Sequence, residues 1–595
     1  MYLEKVVIKG FRNFKDATIN FGQHSLLIGA NDVGKSNMLY AMRILLDKGL
    51  SDYDFELKDS DFFAYEDTDE VEITIYFKDI TEDCILARMQ GKISDDGELV
   101  LRYSAMRQHG HVDYQFYCGR SDSEEDLKEC DGPYYRKYLN IKYISSRRDF
   151  WSYINKTKNI LLNEAKENRE PDEVAADDTL YGQIADRLQY VDENIPRLSY
   201  VENATNKINQ ELDKLSIHNR EQRLVFDTAS TDLDRVITSV SIVSKHVDKK
   251  LFVGGDGRAN QIYLSLWASQ NQQDRTANEV SIICIEEPEA YLHPHQQREL
   301  AAYLGRTLNG QTILTSHSPF IVSEFSPNSI VRLYKTKGNE TLAASDGCSH
   351  IIEEGIEGLG YRMSVIPAEA FFSDCVVLVE GPSEEMFYKV LAKQIGISLD
   401  RLNISVISVN GIGFKTYIAI MDAMMIDWVV RTDNDIMKIP KKQAYRYAGL
   451  ERGLGCLEAG CNVKPADQEK VDEMSKLIHG FPDKDNIPEN VIEAATWLKK
   501  FMAGYDILIA DVDLETDMIN SELHDALKDY YDEDDEMSDE EIIQEMKKQK
   551  AINMYDFLKA QKTELSTLVD DNLSLPLRKA QEFIEEHYGT YANPA

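Results

Sequence analysis

The sequence predicts an α/β protein made of two parallel-sheet units in series, the first interrupted by a helical insertion. Three observations carry that expectation. Near the N-terminus the apolar run Ser25-Leu-Leu-Ile28 opens into Gly29-Ala-Asn-Asp-Val-Gly34-Lys35-Ser36 and then an amphipathic stretch over 37–46. In the second half Cys375-Val-Val-Leu-Val379 stops at Glu380-Gly381, with an amphipathic run over 383–394, and the device recurs at Asp427-Trp-Val-Val-Arg-Thr-Asp433-Asn-Asp435. Short apolar runs that end in turn residues and lead into helical periodicity are the pattern of buried parallel strands. From about 150 to 250 the apolar spacing turns helical instead.

A chain of 595 residues is long enough for several domains, each with its own core. The hydrophobic share of 43% and the charged share of 28% exclude a disordered or fibrous class. No apolar run approaches the roughly eighteen residues of a membrane span. Met1-Tyr-Leu-Glu-Lys5 lacks the basic and apolar regions of a signal peptide, so the expectation is a cytoplasmic protein with no membrane contact. Eight scattered cysteines without a Cys-x-x-Cys pair argue against a disulfide framework and a zinc ribbon, and Cys284 and Cys375 read as core. With 66 basic and 103 acidic residues the net charge is −37, which disfavours a broad nucleic-acid surface. Contact with DNA would be local, through Lys438, Lys441, Lys442 and Arg446, or Lys547, Lys548 and Lys550, and strongly salt-dependent. Residues 438–460 read as a basic, aromatic, helical insert that could face DNA, and residues 529–541 as a solvated acidic segment.

Taken in order, residues 3–21 alternate as two strands with Ala17, Ile19 and Phe21 on one face. Residues 29–36 then fit GxxxxGK[ST], a loop whose backbone N–H groups turn onto phosphate oxygens at a helix N-terminus. Lys35 would reach the β- and γ-phosphates and Ser36 would ligate magnesium, with Asn31, Asp32, Gly34 and Asn37 around them. The reading is ATP binding. Residues 71–77 alternate as a half-exposed antiparallel strand. Residues 92–143 are strand-like and carry no visible chemistry, and Arg147-Arg148 could contact nucleotide or DNA, although a plain surface pair is the expectation. In the insertion Leu180, Ile184 and Leu188 share a stripe. Val201, Ala204, Ile208, Leu212 and Leu215 form a narrow seam that packs internally or pairs with a second copy, and pairing is the expectation. Gly255-Asp-Gly257 opens a helix over 261–269 and can bind an anion. Val280-Ser-Ile-Ile-Cys-Ile-Glu286-Glu287 is an apolar strand ending in two acids, with Glu286 suited to the magnesium shell and Glu287 to orienting the attacking water. The next strand ends near His317.

The order of loop, glycine pair, double acid and histidine makes residues 1 to about 340 resemble the ABC-type ATPases of the SMC and RecF group, without a long coiled coil. The resemblance implies that Gly255 and Gly257 hold the place of the signature motif, which contacts the partner subunit's nucleotide, although the usual Leu-Ser-Gly-Gly wording is absent. It implies that His317 senses the γ-phosphate.

In the second half Glu380, Glu384, Asp433 and Asp435 converge on one sheet edge, where open α/β sheets place ligands. Four oxygen-donor side chains suit magnesium. Together with the glycine turn Gly411-Ile-Gly413 they resemble a Toprim domain. An ABC-type ATPase followed by a Toprim domain resembles the OLD (overcoming lysogenisation defect) family of nucleases. Glu-Gly-Pro-Ser-Glu, Arg-Thr-Asp-Asn-Asp and Pro-Lys-Lys within it are most similar to the nuclease subunits of Gabija anti-phage systems. The resemblance implies a nucleotide-regulated endonuclease on double-stranded DNA with Mg2+ or Mn2+ and ATP. Glu380, Glu384, Asp433 and Asp435 would hold one metal, Asp513 and Glu515 a second, and Lys550 would stabilise the transition state. Asp511 and Lys547 or Lys548 are neighbours that could take the roles of Asp513 and Lys550. The resemblance also implies a homodimer or tetramer through the ATPase domains and a UvrD-like helicase partner. The expected domains are the ATPase at 1–149 and 251–365, a helical dimerisation insert at 150–250, and the Toprim domain with helical insertions at 366–595. A primase lacks its zinc cysteines here, and a topoisomerase does not explain the N-terminal ATPase. A nucleotide-gated scaffold with a vestigial nuclease is the reading from another class.

Overall fold

A computed structural model of the chain describes residues 1–108, 111–130, 132–215, 223–225, 243–246, 249–252, 255–273, 279–308, 310–347, 368–409, 413–532 and 537–589. In chain order the first strands are β1 (Tyr2–Phe11), β2 (Phe14–Asn20), β3 (His24–Ile28), β4 (Glu70–Lys78), β5 (Leu99–Gln108), β6 (His111–Gly119), β7 (Lys128–Cys130) and β8 (Leu139–Ile144). A ribbon, β9 (Val243–His246) and β10 (Lys249–Phe252), precedes β11 (Val280–Glu286), β12 (Thr312–Thr315), β13 (Ile330–Lys335) and β14 (Thr341–Ala343). The C-terminal strands are β15 (Cys375–Val379), β16 (Ile404–Ser408), β17 (Asp427–Thr432), β18 (Ile436–Lys438), β19 (Tyr445–Tyr447), β20 (His479–Phe481) and β21 (Ile507–Ile509).

The chain divides into two compact units. The larger comprises residues 1–146, 275–289 and 293–595. Its N-terminal part holds an antiparallel sheet in the order β2-β1-β4-β5-β6-β7 and a second sheet in the order β14-β13-β3-β12-β11-β8, parallel from β13 to β8. Alternation makes the first sheet: Val6, Ile8, Ile73, Ile75, Leu101 and Tyr103 all turn inward. The second is apolar on both faces, with Leu26 to Ile28, Ile283 to Ile285 and Ile313 to Leu314 buried. The helix Lys35–Leu46 contributes Met38, Leu39, Met42 and Leu45 to the common core.

The C-terminal part of the same unit is built on the parallel sheet β16-β15-β17-β21. All five residues of β15 are buried because helices cover both of its faces. Phe387 and Leu391 on the helix Pro382–Gln394, and Leu577 and Ile584 on the helix Leu575–Tyr588, belong to that core.

The smaller unit, residues 147–274 with 290–292, contains the helices Phe150–Glu167, Pro171–Asn194, Ser199–Leu215 and Asp256–Gln273 and the β9–β10 ribbon. Phe150 and Tyr153 pack edge-on or tilted against Tyr263. The helix Pro171–Asn194 buries no residue, and Leu180, Ile184, Ile208 and Leu212 are each more than 40% exposed. Among the described residues, these four apolar side chains are left largely uncovered.

Several expectations change. The stretch 438–460, expected to be helical, starts instead as the β18–β19 hairpin, and only Ala448–Gly460 is helix. The expected helical period over 150–250 ends in the β9–β10 ribbon. Two helices, His524–Tyr531 and Asp539–Lys548, take up both ends of the acidic stretch 529–541. Cys118 and Cys130 form a disulfide, because antiparallel pairing of β6 and β7 brings their Cα atoms to 6.4 Å. Gly411, residues 226–242 and the expected boundary near 365 lie outside the described residues. Among the described residues no helix is long and apolar enough to cross a membrane.

Candidate active site

Two clusters of polar groups occupy the larger unit. The first surrounds the loop between β3 and the helix Lys35–Leu46. Gly34 has φ 109°, and a side chain there would collide with Asn13 Nδ2 at 2.0 Å, so only glycine closes this loop. Asn13 Nδ2 donates to Val33 O and to Thr341 Oγ1, and Asn37 Nδ2 donates to Asn13 Oδ1 at 2.6 Å. Arg12 donates to Asn37 Oδ1 and pairs with Asp61. Lys35 folds back on its own loop, donating to Gly29 O at 2.9 Å and Ala30 O at 2.8 Å. Burial pulls its ammonium down to about 8, against the opposing pull of Glu287, Asp32, Glu289 and Glu286. Asn31, Asp32 and Ser36 remain exposed beside it.

Adjacent strand ends face that loop. Glu286 is buried at the end of β11 and accepts from Ser146 N–H at 3.1 Å. Glu287 has φ 43°, its N–H bonded to Thr315 O at 3.0 Å, and its carboxylate lies 3.9 Å from His317 Nε2. Burial, and then Lys35, hold the His317 imidazole down at about 4, so it is neutral near pH 7. Glu289 was not among the expected site residues. One of its oxygens accepts from both Ser316 Oγ at 2.7 Å and His317 N–H at 2.9 Å, fixing the loop that carries the histidine. Gly255 and Gly257 lie in the smaller unit, where a side chain on Gly257 would strike Tyr291 O.

The second cluster sits at the C-terminal edge of β15, β17 and β21. Glu380 directly follows β15 and accepts from Thr432 Oγ1 at 2.5 Å, Asp433 N–H at 2.8 Å and Arg452 Nη2 at 2.5 Å. Glu384, on the first turn of the next helix, is buried and meets Lys550 Nζ at 2.8 Å. The same ammonium lies 3.5 Å from Asp433 and 3.4 Å from Glu515. Burial by itself would lower Lys550, but the three carboxylates prevail and raise it. Asp513 caps the helix Leu514–Ile519 by accepting from Thr516 N–H, and it pairs with Lys547. Burial opposes ionisation of Asp513, yet Lys547 and Thr516 hold it below the usual carboxylate range. Asp435 lies 3.5 Å from Arg452.

The geometry separates the neighbours that the sequence left open. Asp511 is exposed and pairs with Lys499, away from this cluster, and Lys548 pairs with Glu545. Lys547 reaches Asp513 alone, whereas Lys550 stands among three acids. Arg452 is the residue sequence reasoning missed. Gly449 approaches Asp433 O so closely that a Cβ would sit at 2.0 Å, and one turn later the helix delivers Arg452 to Glu380 and Asp435. A glycine three residues before an arginine, fourteen residues past the Asp-x-Asp, was the available signal.

Six carboxyl groups here face three cations, Lys547, Lys550 and Arg452, so acids outnumber bases by three. Burial, then the charges of Glu380 and Glu384, push Asp433 up to about 7 despite Lys550. Burial also raises Glu515. Hard oxygen donors with uncompensated charge are the donor chemistry of divalent cations. Among the described residues no three acids stand close enough to form a ready-made ion cage, because Lys550 and Arg452 reach in between them. The residues fit a metal provided those two side chains give way.

This combination, a phosphate-type loop with a double acid and a Toprim-like acid edge, agrees with the comparisons. Residues 1–322, more than half of the chain, match the AAA ATPase domain family, and the chain belongs to that family. Residues 371–435 match the TOPRIM domain of Overcoming lysogenization defect protein-like proteins. The chain is thus an ATPase-family protein that carries an OLD-like TOPRIM domain. It is 25% identical over 594 residues to Endonuclease GajA of Bacillus cereus (strain VD045), covering 94% of this chain and 95% of the relative. Old nuclease of Escherichia phage P2 is 26% identical over 69% of this chain and 73% of its own length. OLD nuclease of Thermus scotoductus is 22% identical over 74% and 83%.

Proposed function

We propose that the chain is a metal-dependent DNA endonuclease of anti-phage defence whose TOPRIM site is controlled by nucleotide at the ATPase site. The observation that carries the reading is the cluster of six carboxylates at one sheet edge, with Glu384, Asp433 and Glu515 around Lys550, Glu380 and Asp435 on Arg452, and Asp513 on Lys547. The relatives named as nucleases over most of their length support it. Divalent Mg2+ or Mn2+, when bound, would activate water and stabilise the leaving oxygen of the phosphodiester. Glu380, Glu384, Asp433 and Asp435 would hold one ion, and Asp513 with Glu515 the other. Lys550, now held by Glu384, Asp433 and Glu515, would be the cation available to the scissile phosphate once those carboxylates serve as ligands. Thr432 and the Asp433 N–H fix the Glu380 carboxylate before any ligand arrives.

At the other site Lys35 and Ser36 would hold phosphate and magnesium together with Asn31, Asp32, Gly34 and Asn37. Glu286 would complete the magnesium shell, Glu287 would orient water, and neutral His317 would donate to the γ-phosphate. Gly255 and Gly257 would face a partner subunit's nucleotide. We assign 1–149 and 251–365 to the ATPase domain, 150–250 to a dimerising insert and 366–595 to the nuclease domain. The exposed seam at Ile208 and Leu212 supports a homo-oligomer, and a UvrD-like helicase partner is what the resemblance to Gabija nuclease subunits implies. The test is cleavage of plasmid DNA in magnesium or manganese, with and without ATP at fixed free metal. Wild type should cut, Glu380→Gln should not while still binding nucleotide, and Lys35→Ala should cut without responding to ATP. Full cleavage by Glu380→Gln in manganese refutes the metal assignment.

A further inference from the structure

Between the two sites stands a buried arginine. Arg332 is 4% exposed on β13, and β13 pairs in parallel with β3 so that Arg332 lies opposite Ile28, the residue before the nucleotide loop. Gly29, the first residue of that loop, has φ 144°, and a Cβ there would lie 2.5 Å from Leu333 O. The loop thus rests on the residue next to Arg332. The guanidinium then reaches the other sheet. Nη1 donates to Met424 O at 3.0 Å and Met425 O at 2.9 Å, and Nη2 donates to Ser373 O at 2.8 Å and to Asp374 Oδ1 at 3.2 Å.

Those acceptors have particular positions. Ser373 and Asp374 immediately precede β15, and Met424 and Met425 lie three and two residues before the start of β17. Cys375 and Asp427 are paired in register, so one side chain fastens the aligned starts of both strands. Their far ends carry Glu380 and Asp433. Each is a rigid, paired run of five or six residues, roughly 16–20 Å long at about 3.3 Å per residue. A cleft of about 310 Å³ separates the loop at Gly29 to Asn31 from Asp374 and Arg401 to Asn403. Arg332 lines this cleft and bridges its edge, and Lys337 lies 3.6 Å from Glu586 nearby. The neighbouring tie, Ser345 Oγ on Ala423 O, is a single hydrogen bond.

We propose that Arg332 is the positioning residue through which the state of the nucleotide loop sets the two strands that bear Glu380 and Asp433. The proposal rests on the nucleotide-control reading above. Phosphate entering the loop competes for Lys35, which now holds Gly29 O and Ala30 O. Release of those carbonyls changes the loop where it rests on Leu333, and Arg332 carries the change to both strand starts. A rigid contiguous link of this kind passes on no more than the differential affinity of nucleotide for the two states.

The test is hydrogen–deuterium exchange on the full chain, with and without a non-hydrolysable ATP analogue at fixed free magnesium. In wild type the analogue should change exchange in segments 373–379 and 424–432. In Arg332→Lys, which keeps charge but loses the fork, that change should vanish, and so should the ATP effect on plasmid cleavage, with analogue affinity and ATP-free cleavage retained. Unchanged exchange in the two wild-type segments overturns the proposal, as does a full nucleotide response in Arg332→Lys. Should that variant fail to fold, the wild-type exchange decides alone. An exchange response without any ATP effect on wild-type cleavage would remove nucleotide control of the nuclease while keeping the link itself.

Discussion

Replacing Lys550 with Met should make the protein depend on metal for stability in a way the wild type does not. The ammonium stands 2.8, 3.4 and 3.5 Å from Glu384, Glu515 and Asp433, whose side chains are 5%, 1% and 12% exposed. At an effective dielectric of about 20 each contact is a gross attraction of roughly 5–6 kcal/mol, most of it offset by desolvation. Removing one partner from a buried ionic cluster costs a net 3–5 kcal/mol or so. Lys550 is itself one-third exposed, so the lower figure, about 3 kcal/mol, applies. For a domain of about 200 residues that corresponds to a drop of roughly 6–12 °C in the melting midpoint. A divalent cation would return about 2.7 kcal/mol at a hundred times its Kd. The assay is a thermal melt of both proteins in chelator and in excess magnesium. Lys550→Met should melt lower in chelator and gain more from magnesium than wild type, with cleavage lost in both conditions. Equal midpoints in chelator, or equal gains from magnesium, would refute the reasoning.

Other perturbations follow from the same geometry. Glu287→Gln should slow ATP hydrolysis about 10²-fold or more while leaving ATP binding intact, as steady-state turnover and equilibrium binding will show. Arg452→Gln should lower cleavage about 10²-fold, and manganese binding followed by electron paramagnetic resonance should tighten, because a competing cation has been removed. Ile208→Glu combined with Leu212→Glu should lower the mass seen by light scattering without altering the far-UV circular dichroism, and an unchanged mass would show that the seam does not bind a second copy.

The acid edge was legible because each of its strands is a short apolar run that stops at a carboxylate, a pattern with little other physical use. The nucleotide loop was legible for a similar reason, since its glycine positions answer to backbone needs that the sequence displays. The choice among Lys547, Lys548 and Lys550 was not. Gln549, at φ −136° and ψ 61°, breaks the helix between them, and that break sends Lys550 toward Glu384 while Lys547 meets Asp513. Arg452 was hidden in a stretch whose basic residues suggested an outward face. Its direction depends on Gly449 and Gly453 bringing their helix against Asp433 and Ile509, which is a packing fact. Arg332 was equally hidden, because its acceptors are backbone carbonyls about 40 and 90 residues away in the chain.

The strand order β13-β3-β12-β11-β8 bears on how the protein is made. β3 ends at residue 28, yet both strands that flank it lie beyond residue 311. At about 5–20 residues per second, a ribosome needs roughly 15–60 s to supply them. For that interval the nascent chain carries an apolar strand with two unsatisfied edges. The antiparallel sheet formed by β1, β2 and β4 to β7 closes entirely within the first 130 residues and can assemble meanwhile from nearer contacts. Its buried face accepts the helix Lys35–Leu46, which shields part of the waiting core. Expression of this chain should therefore be sensitive to translation speed and chaperone supply between residues 28 and 315, more than to anything in the C-terminal half.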